Sequence, residues 1–89
     1  MEYSYPFSID WSQDEIVTVI QFFQRIEQAY EKGVDRDDLL EDYRKFKKVV
    51  PAKSEEKQFG KEFEDSSGYS LYQTIKKAKS TSANQMIKM

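Results

Sequence analysis

The chain has 89 residues, no cysteine, no histidine and a net charge of −2. That length folds as one small domain around a single core, and the missing residue types exclude disulfides, thiolate chemistry, imidazole bases and the common zinc ligands. The charge is unevenly spread, with 11 acids against 3 bases in residues 1–42 and 5 acids against 11 bases in residues 43–89. Two readings follow: the halves neutralise one another on folding, or a basic face stays free for an acidic protein or a polyanion.

The chain opens with MEYSYPFSID, in which acids and an early proline stand where a signal peptide has a basic patch and an apolar run. No stretch approaches the ~20 apolar residues of a membrane span, so a cytoplasmic protein without membrane contact is expected. Tyr3, Tyr5, Phe7, Ile9 and Trp11 fall at every second position, the period of an extended segment with one buried face. Pro6 argues against a central strand, and no other strand is predicted. Residues 1–11 therefore read as an arm lying over helices, with pairing to the same arm of a second subunit, a homodimer, as the alternative.

Residues 12–32 form the predicted central helix. Ile16, Val19, Ile20, Phe22, Phe23, Ile26, Ala29 and Tyr30 cover about half of its circumference, wider than an ordinary surface helix presents. Ser12 and Glu15 make a capping box, Trp11 and Ile16 stand at the staple positions, and Gly33 suits the left-handed residue that closes a helix. Glu27 interrupts the apolar arc. It reads as a rim or ion-paired acid, or else as a buried acid with a raised pKa, the only support for an enzyme in this sequence.

A second helix is predicted over 35–49, with Asp35 as N-cap and Asp37 and Asp38 in the first turn. Leu39, Leu40, Tyr43, Phe46 and Val50 point inward, Arg44, Lys45 and Lys48 outward, and Pro51 ends the helix. The acids at 35–42 lack the mid-loop glycine and closing glutamate of an EF-hand, so no metal site is assigned. The third helix, 53–66, is sparse in large apolar residues (Phe59 and Phe63) and carries Gly60 in its interior. Its Lys53, Lys57 and Lys61 share one face, either a binding surface or, with Glu56, Glu64 and Asp65 nearby, a solvated mixed face.

Ser66-Ser67-Gly68 ends that helix, and Tyr69 is placed to touch Phe63. The fourth helix, 70–79, starts on a Ser70/Gln73 capping box and carries Leu71, Tyr72, Ile75 and Ala78 as its stripe, followed by Lys76, Lys77 and Lys79. Residues 80–89 read as a flexible tail in which Met86, Ile87 and Met89 are docking residues at most.

Tyr43 and Lys47, Tyr72 and Lys76, and Ser54 and Lys57 imitate catalytic spacings of short-chain dehydrogenases and penicillin-binding enzymes. The companion motifs and the folds that hold them are missing. No catalytic, cofactor-binding or metal-binding residues are assigned.

The stretches YSYPFSIDWSQDEI, YEKGV, YRKFKKVVPAKSEEKQ and EFEDSSGYSLY together resemble the uncharacterised protein family 0223 of Bacillus-like Firmicutes, over about residues 3–79. The resemblance implies a small all-helical domain and a bacterial cytoplasmic setting, and it brings no activity, cofactor or catalytic residues.

The expected architecture is all-α: four helices in a small irregular array or bundle over residues 1–79, with an extended aromatic N-terminal arm. The expected function is a non-catalytic protein–protein interaction module using Lys45, Lys48, Lys53, Lys57, Lys61, Tyr3 and Tyr5. The alternative is nucleic-acid binding through the basic stretch from Lys45 to Lys61, and the minor alternative is an enzyme using Glu27.

Overall fold

The computed structural model describes Ser8 and residues 10–89; Tyr3, Tyr5, Phe7 and Ile9 of the predicted arm lie outside the described residues. The element order is α1 (Gln13–Glu31), β1 (Val34–Asp35), α2 (Arg36–Val49), α3 (Lys53–Ser67), α4 (Leu71–Lys79) and β2 (Met86–Ile87). The fold is the four-helix all-α array expected from the sequence, with a two-stranded minor sheet added to it.

Local chemistry sets the helix ends. Ser12 N–H donates to Glu15 Oε1 at 2.8 Å and Glu15 N–H returns to Ser12 Oγ at 3.2 Å, the reciprocal capping box. The α1 terminus closes on Gly33 at φ 98°, whose N–H donates to the Gln28 carbonyl at 2.6 Å. Asp35 caps α2 by accepting from the N–H groups of Asp37 and Asp38, so its carboxylate serves the helix start. Gly68, at φ 81°, ends α3.

Val19, Phe22, Phe23, Ile26 and Ala29 of α1 are all fully buried, and α2 makes the most extensive helix contact with α1. Phe46 of α2 stacks on Phe22 at 4.7 Å and meets Phe23 edge-on at 5.8 Å. Phe23 turns its other side to Phe63, 4.5 Å away. Phe63 is the one buried residue of α3, and Phe59 joins the helix to Trp11 at 5.1 Å. Two rings therefore hold most of an otherwise polar helix. This is how so sparse a sequence still packs, since each large ring removes some 150–250 Å² from water.

Two expectations need correction. The Ser70/Gln73 box is half made: Gln73 N–H donates to Ser70 Oγ at 3.1 Å, but the Ser70 N–H goes to Tyr30 Oη at 3.0 Å, so a side chain of α1 completes the cap. Tyr69 finds its stacking partner in Tyr30, with centroids 4.5 Å apart and planes within 10°, and donates its hydroxyl to Glu31 at 2.9 Å. The larger correction concerns residues 80–89. Met86 and Ile87 pair antiparallel with Asp35 and Val34, Ile87 is fully buried, and Met89 N–H donates to the Ala29 carbonyl at 2.8 Å. The segment turns at Asn84 (φ 64°) and straps the C-terminal end of α1, because the Val34 edge and an orphan α1 carbonyl both lack partners without it.

A lysine-rimmed groove between the third and fourth helices

Among the described residues, ion pairs form within each half of the sequence. The ion pairs Arg25–Asp42 (2.8 Å), Arg36–Asp37 (3.0 Å) and Lys47–Glu56 (2.6 Å) each join residues of the same half. Lys53, Lys57, Lys61, Lys76 and Lys79 are exposed.

Those five lysines frame an open groove of about 570 Å³ between α3 and α4. On α3, the spacing of four places Lys53, Lys57 and Lys61 along one wall, with Gly60 and Glu64 beside them. On α4, Leu71 and Ile75, each 5% exposed, form an apolar floor, and Tyr72, Lys76 and Lys79 form the far lip. Tyr72 is 68% exposed with Lys76 Nζ 6.0 Å from its ring centroid.

Tyr43 and Glu56 close one side. The Tyr43 hydroxyl donates to Glu56 Oε2 at 2.7 Å, while Lys47 Nζ binds Oε1 at 2.6 Å. Burial first, and the Glu56 hydrogen bond and charge next, push the Tyr43 phenol far above its ordinary range and keep it a neutral donor. Glu56 is thereby neutralised by partners within the fold. Of the acids lining the groove, this leaves Glu64 facing water against five lysines. Tyr43→Phe is expected to cost about 1.5 kcal/mol in urea unfolding; an unchanged midpoint would mean that Lys47 alone satisfies the carboxylate.

Gly60 sits inside α3 without a positive φ, so no unusual backbone conformation requires it. A Cβ built there lies 3.5 Å from Leu71 Cδ1 and 3.6 Å from Leu71 Cβ, ordinary van der Waals contact. Gly60→Ala is therefore expected to raise stability by about 1 kcal/mol through helix propensity and a less flexible unfolded chain. A fall in melting temperature would show that helix packing needs the glycine.

The other candidate residues disperse. Lys45 lines a second, polar cleft of about 410 Å³ between α1 and α2, with Arg25, Asp38, Glu41 and Asp42 among its walls, and Lys48 is exposed outside both clefts. The stretch from Lys45 to Lys61 is thus no continuous surface. Glu27 is partly buried and lines neither cleft. Burial, and secondarily the Glu31 carboxylate one turn on, raise its pKa above the ordinary carboxylate range. A carboxyl whose pKa rises on folding makes the fold more stable in acid, a contribution lost as pH climbs from the unfolded value through the folded one. Glu27→Gln is accordingly expected to stabilise the protein at neutral pH by about 0.2–0.5 kcal/mol, the scale of a like-charge pair. In thermal melts that advantage should vanish near about pH 3, where carboxylates are protonated in both states; an advantage independent of pH would assign it to something other than charge.

Sequence reading missed Gly60, Tyr72, Lys76 and Lys79 as parts of one site. Tyr72, assigned from the sequence to the inward stripe of α4, is instead 68% exposed, because a helical wheel places it at the edge of that stripe. The wheel also places Thr74 inside that stripe, where the residue is fully buried with its hydroxyl donating to the Ser70 carbonyl at 2.6 Å.

The described residues hold no group of three or more acids arranged around a metal position, and none of their helices is long and apolar enough to cross a membrane. The model of an uncharacterised protein family, UPF0223, matches residues 2–87. The chain belongs to this family. It is similar to UPF0223 protein YktA of Bacillus subtilis, 56% identical over 79 residues that cover 89% of this chain and 90% of the relative. A UPF0223 protein of Bacillus velezensis is 55% identical over 89 residues, the full length of both. Another, of Lysinibacillus sphaericus, is 52% identical over 89 residues, covering 94% of its length. The family resemblance read from the motifs is therefore correct, and the family's description carries no activity to this chain.

Proposed function

We propose that this protein is a non-catalytic protein–protein interaction module whose α3–α4 groove receives a segment of another protein. The observation that carries the reading is an open groove whose apolar floor, Leu71 and Ile75, lies beneath a rim of five outward-facing lysines and an exposed tyrosine. Small interfaces draw their energy from apolar pockets and aromatic anchors, with charges at the rim steering encounter. The ion pairs within each half support it, because they leave these lysines facing outward.

Nucleic-acid binding is the second reading, supported by Tyr72 beside Lys76 and the lysine wall of α3. The two separate in living Bacillus cells when the photocrosslinker benzoylphenylalanine replaces Tyr72, with Val17, 48% exposed on α1, as the control position. A nuclease-resistant protein adduct at position 72 and not at 17 is the expected result. A nuclease-sensitive adduct, or no adduct beyond the control, overturns the interaction reading.

A further inference from the structure

Taking the groove as a protein-docking site, as proposed above, we infer that its occupant is a short acidic amphipathic helix of a partner protein, anchored by an apolar side chain over Gly60. Three properties of the groove lead there.

The first is shape. Both walls are helices, and at 1.5 Å per residue the span from Lys53 to Lys61 is about 12 Å, the length of two turns. A peptide that added as a strand would need a free strand edge for its backbone hydrogen bonds, and the described residues place their two strands elsewhere, paired with each other. A helix satisfies its own backbone and presents side chains at the spacing of the ridges it meets.

The second is Gly60. The fold has room for a β-carbon there, in normal contact with Leu71, and the backbone makes no use of glycine's freedom. What the bare position provides is a gap in the side chains of the α3 wall, next to Leu71, where a partner's Leu, Ile, Met or Phe can approach the helix backbone.

The third is charge. Lysines stand on both lips, Glu56 is taken up by Lys47 and Tyr43, and carboxylates flanking the partner's apolar stripe complete the match. A second copy of the chain is the poorer match among its described helices, because α1, α2 and α3, which all carry acids, commit their aromatic side chains to their own core. Phosphate backbones meet an aliphatic floor, and the ring of Tyr72 already has Lys76 over it.

The test uses the full-length protein and a displayed library of 14-residue helical peptides. Apolar residues occupy positions i, i+3, i+4 and i+7, and the flanks are drawn from Glu, Gln and Lys. Selection is expected to enrich Glu on both flanks, and the selected peptide to bind at least about tenfold more tightly than its Glu→Gln counterpart. The double variant Lys57→Glu, Lys61→Glu should weaken it by about tenfold or more. Gly60→Leu should do the same while it keeps wild-type far-UV circular dichroism and a cooperative thermal transition, which separates a filled groove from a damaged fold.

Enrichment of Gln or Lys, no enrichment at all, or equal binding to Gly60→Leu overturns the inference. So does a fluorescent 15-nucleotide oligothymidylate that binds the wild type and is lost in the lysine variant, or a concentration-dependent dimer that Gly60→Leu abolishes. A position-72 protein adduct in cells combined with failure of the acidic library removes the partner chemistry and leaves the interaction reading standing. Loss of both removes the two together.

Discussion

Phe46→Ala is expected to lower the unfolding free energy by about 3–5 kcal/mol, the range for truncating a fully buried phenylalanine. Phe46 has no exposed surface, and it stacks on Phe22 at 4.7 Å, meets Phe23 at 5.8 Å and lies 6.4 Å from Tyr43. Removing its ring opens a cavity where α1 and α2 meet, and the remaining rings are fixed by their own partners: Phe23 is held against Phe63 at 4.5 Å. Small domains carry about 5–15 kcal/mol in total, so the variant should show a sharply lower urea midpoint with an unchanged slope. Tyr72→Ala is the comparison, because a side chain 68% exposed should cost no more than about 0.5 kcal/mol. A Phe46→Ala loss below about 1.5 kcal/mol would show that the ring cluster collapses into the vacated space and that the core is less rigid than its packing indicates.

Ile87→Asp is expected to cost about 2–4 kcal/mol, although it lies within three residues of Met89, in a segment whose composition reads as a tail. Ile87 is fully buried and pairs with Val34, itself 4% exposed. The substitution forfeits about 1.5–3 kcal/mol of apolar burial and brings a carboxylate to a site that cannot hydrate it. The chain's response is to release the strap, which caps the loss but also frees the backbone bonds it makes. Those bonds give a local readout. In hydrogen exchange the Arg36 N–H, bonded to the Gln85 carbonyl at 2.9 Å, and the Met89 N–H, bonded to the Ala29 carbonyl at 2.8 Å, should lose protection more than amides in the middle of α1. A stability change within about 0.5 kcal/mol, with no change at either amide, would mean that the strap is dispensable.

These effects mark where the sequence could be read and where it could not. The start of α1 was legible because Ser12 and Glu15 are three residues apart and satisfy each other whatever the rest of the chain does. The same holds for Gly33 and Gly68, whose positive φ values are set by the need to close a helix. The Ser70 cap was half legible: its Oγ bond to Gln73 is local, whereas its N–H partner, Tyr30, comes from another helix. The stack of Tyr69 on Tyr30 likewise joins two helices, so no local spacing could show it.

The site divides in the same way. Lys53, Lys57 and Lys61 share a face by helical periodicity alone, and they do line the groove. Lys45 and Lys48, adjoining them in sequence and alike in charge, lie elsewhere because the chain turns at Pro51 between α2 and α3. Gly60 looked like a defect in a weak helix, since a wheel cannot show that Leu71 lies 3.5 Å from its missing β-carbon. Lys76 and Lys79 looked like residues suited to a helix end, and the opposing wall that makes them a lip belongs to α3.

The sequence by itself determined the four helices, the caps at Ser12, Gly33, Asp35 and Gly68 and the inward faces of α1 and α2, because those depend on residues at most four apart and on the period of the α-helix. The tertiary structure decided three things: that Ile87 returns to pair with Val34, that two rings anchor α3, and that α3 and α4 lie side by side with lysines on both lips. Each depends on which surfaces are left uncovered once the helices have packed. That is a property of the assembled chain, fixed when Val34, Phe23 and Leu71 each meet a partner that no local spacing specifies.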